Sequence, residues 1–194
     1  MSPKPSDWPE SPHVYGYLGL DARGQWLIKG EAISRPSLIE HFQRHYQSDG
    51  EGRWFVKNGW QQAYVTLAYL PRVLRVASGD TLIDHCQRPA GKVIGAALDE
   101  SGALVLDTSE GPGLVDSHDL AWALERMKVG GASVTDTALG DALNRASGEI
   151  TALALETPGG EAVRVVRVDR HHMATHFGFV PNPRPDSRKP VQDQ

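Results

Sequence analysis

An aspartate and a glycine three residues apart, set between two apolar runs, recur in the two halves of this chain: Leu20-Asp21-Ala22-Arg23-Gly24 and Leu98-Asp99-Glu100-Ser101-Gly102. The spacing restricts the backbone. Aspartate at the first turn position can accept hydrogen bonds from the residues that follow, and glycine at the fourth takes positive φ without a Cβ clash. A type I turn with a bulge, closing an antiparallel hairpin, is therefore expected. The runs Val14 to Leu20 with Gln25 to Gly30, and Val93 to Leu98 with Ala103 to Asp107, supply the strands. A capped helix follows each hairpin at a similar distance, so the pattern predicts an internal repeat.

In the first half, Ser34-Arg35-Pro36-Ser37 combines capping hydroxyls with a proline suited to a first helical turn. The helix it opens should bury Leu38, Ile39, Phe42 and Tyr46, which share a face. A second hairpin is expected from Arg53-Trp54-Phe55-Val56-Lys57, the Asn58-Gly59 turn and Trp60 to Tyr69. Val73 to Val76, after Pro71, would add an edge strand. In the second half a helix near Asp116 or Ser117 should bury Leu120, Leu124 and Met127 and end at Gly130-Gly131. Thr135 to Arg145 reads as an extra short helix. Glu149 to Glu156 and Glu161 to Asp169 form a closing hairpin around Thr157-Pro158-Gly159-Gly160, read as a type II turn.

The expected fold class is α+β: two related hairpin–helix–hairpin modules with mainly antiparallel sheets and an extra short helix in the second. The divisions are 1–13, a flexible N-terminal segment; 14–78, the first module; 79–92, a linking strand; 93–178, the second module; and 179–194, a proline-rich flexible tail. With 40% hydrophobic and 23% charged residues, the 194-residue chain has ordinary globular usage. Its net charge of -4, well mixed in sign, offers no footprint for nucleic acid. No run approaches a membrane span and no signal-type stretch opens the chain. With Cys86 as the single cysteine, a cytoplasmic setting is expected.

The run Gly19 to Trp26, followed by Gly30, Ile33, Arg35-Pro36, Leu38-Ile39 and Gly52-Arg53-Trp54-Phe55, resembles proteobacterial domain-of-unknown-function families over residues 14 to 76. The resemblance implies repeated α+β modules and signalling involvement, and it transfers no catalytic residues.

Several clusters could carry chemistry. In Arg170-His171-His172-Met173-Ala174-Thr175-His176, His172 and His176 would share one helical face, making His171, His172 and His176 the candidate metal ligands. The glutamate that would activate water in a His-Glu-x-x-His arrangement is absent. His41 and His45 form another i, i+4 pair, read as a polar flank. Asp84-His85-Cys86 sets a base beside a thiol, but strand neighbours point to opposite faces, so Cys86 is read as a half-buried side chain. Trp54, Trp60 and Tyr64, around the Asn58-Gly59 turn, are the candidate ligand- or partner-binding residues, with cross-strand packing as their ordinary role. Arg164 and Arg167 suit a solvated sheet face. No nucleophile elbow, phosphate-binding loop or dinucleotide fingerprint is present, so no cofactor and no catalytic residue is expected.

These readings favour a noncatalytic protein that binds a small molecule or protein, in a regulatory or signalling role, with its site between the two sheets or at an exposed edge. The alternative is a metal-dependent enzyme or metal-binding protein using the histidine cluster. Pairing of two copies through a sheet edge is a further expectation.

Overall fold

The structure is a computed structural model describing residues 8–185. Strands β1 (His13–Leu20), β2 (Trp26–Ile28) and β3 (Glu31–Ala32) lead into helix α1 (Pro36–His45). β4 (Tyr46–Ser48), β5 (Trp54–Asn58) and β6 (Gln61–Leu67) follow. These form one sheet in the order β3-β2-β1-β6-β5-β4. The chain continues through β7 (Arg72–Val76), β8 (Leu82–Asp84), β9 (Val93–Leu98), β10 (Leu104–Thr108) and β11 (Gly113–Val115). A 3-10 turn then precedes α2 (Leu120–Arg126), β12 (Met127–Val129), β13 (Ala132–Ser133) and α3 (Asp136–Leu143). β14 (Ile150–Glu156), β15 (Ala162–Arg167), a second 3-10 turn (Arg170–His172) and α4 (Met173–Phe177) close the described fold. The second sheet runs β13-β12-β14-β15-β9-β10-β11-β7-β8.

The α+β class is as expected, and both sheets are mainly antiparallel. Each has one parallel pair at its middle, β1 with β6 and β9 with β15, and the second sheet has another, β7 with β11. Parallel neighbours need a crossover, which for the two middle pairs includes the helical stretch between them. The four sheet edges, β3, β4, β13 and β8, are two or three residues long, and short edges limit pairing with another chain.

Both Asp-to-Gly reversals adopt the same hydrogen-bonded form. Asp21 Oδ1 accepts from the backbone N–H groups of Arg23 and Gln25, and Gly24 N donates to the Asp21 carbonyl. Asp99 Oδ1 accepts from Ser101 and Ala103 N–H, and Gly102 N donates to the Asp99 carbonyl. The glycines sit at φ +80° and +82°, where a Cβ would be strained. The same arrangement recurs at Asp49 and Asp84. At Thr157 to Gly160 the central Gly159 lacks positive φ, whereas Gly160 is at +79°. That reversal is therefore a further turn of this bulged kind and not the expected type II turn.

α1 starts at Arg35 with no side-chain cap, Pro36 taking the first turn, and buries Leu38 and Phe42 against sheet one. Phe42 is fully buried among Trp8, Trp26 and the sheet residues Val56, Ala63 and Val65, worth about 1.5–3 kcal/mol for its side chain. Ala97 and Val105 of the second sheet and Val168, Met173 and Phe179 join this cluster. Leu98, Leu104 and Leu106 belong to a second core with Ala123, Met127 and Ala142. Alternation along β9 and β10 thus serves two cores, which is why Leu104-Val105-Leu106 reads as an unbroken apolar run.

The structure departs from the sequence reading at several points. Residues 8–12 are pinned: Trp8 is buried, its Nε1 donates to Gln61 Oε1, and Gln61 Nε2 donates to the Pro9 and Ser11 carbonyls. Phe179 to Pro181 are likewise held, Val180 N donating to the Gly52 carbonyl and Leu67 N to that of Pro181. The rest of the expected tail, from 186 onward, lies outside the described residues. β7 is no edge strand of sheet one; it pairs parallel with β11 and antiparallel with β8 in sheet two. α2 buries Ala123 and leaves Leu124 exposed, because the preceding 3-10 turn advances the helix phase. Gly130-Gly131 turns β12 into β13 and ends no helix. Arg167 lies on β15, inside the sheet, and is 4% exposed. Among the described residues no helix is long and apolar enough to cross a membrane.

Candidate functional site

Where β6 ends, the chain passes from sheet one towards sheet two and leaves a cleft of about 390 Å³. Leu67, Met173, Ala174 and Phe179 give it apolar walls, and Tyr69, Glu100, Arg170 and His171 bring polar groups. Its parts come from four stretches of chain. β6 delivers Leu67 to Tyr69, the Asp99 turn delivers Glu100, the 3-10 turn delivers Arg170 and His171, and Phe179 to Pro181 close one side.

The polar groups are held in place. The Tyr69 hydroxyl donates to Asp99 Oδ2 at 2.9 Å, while Asp99 Oδ1 is occupied by its own turn and the Ser101 hydroxyl. The Arg170 guanidinium lies 3.8 Å from the Tyr69 ring centroid, with Nη1 4.0 Å from Asp99 Oδ2. Arg170 N donates to Glu100 Oε2 at 2.8 Å. Burial, reinforced by the Asp99 hydrogen bond, pushes the Tyr69 hydroxyl well above its ordinary range. Burial also opposes ionisation of Asp99, but hydrogen bonds from Ser101, Ala103 and Tyr69 outweigh it and lower its pKa. Tyrosine and aspartate are thereby fixed as donor and acceptor at neutral pH.

Beside this cleft, Asp169, His171 and His172 present one ligand atom each within 4.8 Å of one another. The two imidazole centroids are 3.9 Å apart. His176 does not join them; it packs edge-on against Phe177. The expected histidine trio is therefore replaced by a carboxylate and the two adjacent histidines, because a 3-10 turn brings residues three apart together.

Trp54, Trp60 and Tyr64 do not meet in one groove. Trp54 is buried 5.0 Å from Tyr46 in the core, and Tyr64 stacks on Tyr15 at 4.6 Å with Arg53 over its ring. Trp60 stands 65% exposed in the β5–β6 turn. His41 and His45 sit 4.6 Å apart on α1. Cys86 is buried, which pushes its thiol up to about 12, so it is no nucleophile at neutral pH.

A second cavity, about 210 Å³, is bordered by Trp54, Arg72, Asp84 and Arg88. Arg72 is 2% exposed and spends its donors internally, on Asp84 Oδ2 (3.2 Å), the Ala90, Pro89 and Gly111 carbonyls, and Thr108 Oγ1. This is a structural knot tying β7 to the chain between β8 and β11. Sequence reasoning passed over Arg72, Tyr69 and Asp99's bond to Tyr69; for Arg72 the available signal was an arginine within an apolar strand.

The family model described as "Protein of unknown function (DUF2946)" matches residues 5–184. The chain belongs to this family. No curated protein matches it. A crystal structure of a DUF1285 family protein from Silicibacter pomeroyi DSS-3 is similar over 83% of this chain and 84% of that one, with 16% identity and a TM-score of 0.52. A DUF1285 family protein from Shewanella baltica OS155 is similar over 54% of this chain and 87% of that one, with 13% identity and a TM-score of 0.41. At 16% identity the first likeness bears on the fold alone.

Proposed function

We propose that this member of the family is a noncatalytic, regulatory binding protein of the cytoplasm whose ligand seats in the cleft between the two sheets. The observation that carries the reading is the cleft itself: about 390 Å³ with apolar walls and a cation, Arg170, stacked on Tyr69. Sites for small ligands combine an apolar lining with few fixed polar groups. The ligand class that fits is a small molecule with an apolar body and an anionic group for Arg170. The two sheets read as copies of one module, supported by the shared order around their parallel pairs and by the matching Asp21 and Asp99 turns. In this reading β13 and α3 are the insertion that distinguishes the second copy, and the cleft lies where the copies meet.

The test is a screen of small aromatic and aliphatic carboxylates by NMR of the full chain. Binders should perturb Tyr69, Arg170, His171 and Phe179, and Ala174→Trp, which fills the cleft, should abolish the perturbations with the melting temperature retained. Perturbations clustered elsewhere, or turnover that depends on one side chain, would overturn the reading.

A further inference from the structure

We propose that Asp169, His171 and His172 form a site for a divalent first-row transition metal, zinc foremost, on the rim of the seam cleft. One carboxylate and two imidazoles are a donor set that zinc and its neighbours accept. Their ligand atoms already lie within 4.8 Å of one another.

The backbone is fixed before any metal arrives. His172 N donates to the Asp169 carbonyl, and Asp169 N donates to Ser147 Oγ at 2.9 Å. In the tautomer whose Nδ1–H donates to Ser147 Oγ, 3.1 Å away, His172 keeps its Nε2 lone pair free for a metal. Asp169 Oδ2 stands 4.0 Å from His172 Nδ1 on the same turn. The other carboxylate oxygen, Oδ1, accepts from Arg167 Nη2 at 2.8 Å, which orients the carboxylate as outer-shell partners of metal ligands do. Arg170, next to Asp169 in the chain, is directed over the Tyr69 ring.

Three protein donors leave a tetrahedral ion with one position open, the pattern of reactive or sensing centres and not of closed structural ones. His171 belongs both to this trio and to the cleft lining, so the open position adjoins the cleft. An anionic ligand in the cleft could thus complete the coordination.

Cobalt(II) titration of chelator-treated full chain, followed by visible absorption and calorimetry, tests the site. One ion per chain is expected, with affinity falling at least about tenfold in each of Asp169→Asn, His171→Ala and His172→Gln. His176→Ala and His41→Ala should bind as the unsubstituted chain does. Far-UV circular dichroism confirms that each variant is folded. The proposal is overturned if the chain binds cobalt no better than a His171→Ala/His172→Gln double variant, or if His176→Ala loses as much. Ala174→Trp separates the two readings, since it blocks the cleft and leaves the three donors in place: cobalt binding should survive it even where carboxylate binding does not.

Discussion

Replacing Arg72 by methionine should be the most damaging single change to a charged residue in this fold. Its side chain is 2% exposed and Asp84 is wholly buried, so the substitution leaves the carboxylate its turn N–H groups on Oδ1 but, on Oδ2, only Arg88, whose side chain is 40% exposed. Breaking a buried pair by removing one partner costs about 3–5 kcal/mol. The carbonyls of Pro89, Ala90 and Gly111 also lose a donor, although the Thr108 hydroxyl can still serve one of the last two. With a urea dependence of about 1–3 kcal/mol per molar, the unfolding midpoint should fall by more than about 1 M. Arg72→Lys should recover less than half, because an ammonium cannot reproduce the planar fork. Arg88→Met, half in water, should cost far less. The measurement is urea unfolding followed by circular dichroism. A loss below about 1 kcal/mol for Arg72→Met, or an equal loss for Arg88→Met, would refute the claim that this knot holds β7 in the second sheet.

Two further outcomes follow from local geometry. Burial lowers the His85 imidazole to about 4, since its Nε2 is closed off from water and unpartnered, so the folded state resists the proton that the unfolded state accepts from pH 6.5 down. Stability should therefore be full above pH 6.5 and fall by roughly 3 kcal/mol as pH drops to about 4. His85→Gln should flatten that part of the profile, and equal slopes for both proteins would count against it. Gly102→Ala should cost about 1–2 kcal/mol in chemical denaturation from positive φ alone. Gly24→Ala should cost clearly more, because its Cβ would stand 2.8 Å from His85 Cβ, whereas the nearest atom at Gly102 is 4.0 Å away. Equal losses would show that His85 yields.

What could be read from the sequence was what short-range chemistry decides. The Asp21 and Asp99 reversals close on themselves within five residues, and the α1 stripe of Leu38 and Phe42 follows from helical period alone. Asp49 to Gly52 was legible by the same rule, while Asp84 to Gln87 hid because Gln87, not glycine, takes the positive φ of 62°. What escaped was decided at long range. β7 follows sheet one in the chain yet pairs with β11, and Arg167 alternates with valines as an exposed residue would, yet finds the Leu143 carbonyl and Asp169. The cleft escaped for the same reason: Leu67, Glu100, Arg170 and Phe179 share no spacing that a motif could express. In the histidine cluster the i, i+4 rule presumes an α-helix, whereas residues 170–172 form a 3-10 turn that sets His171 and His172 beside Asp169. A cleft at the meeting of two sheets is built by the packing that joins them, so its lining residues become visible only once both cores are in place.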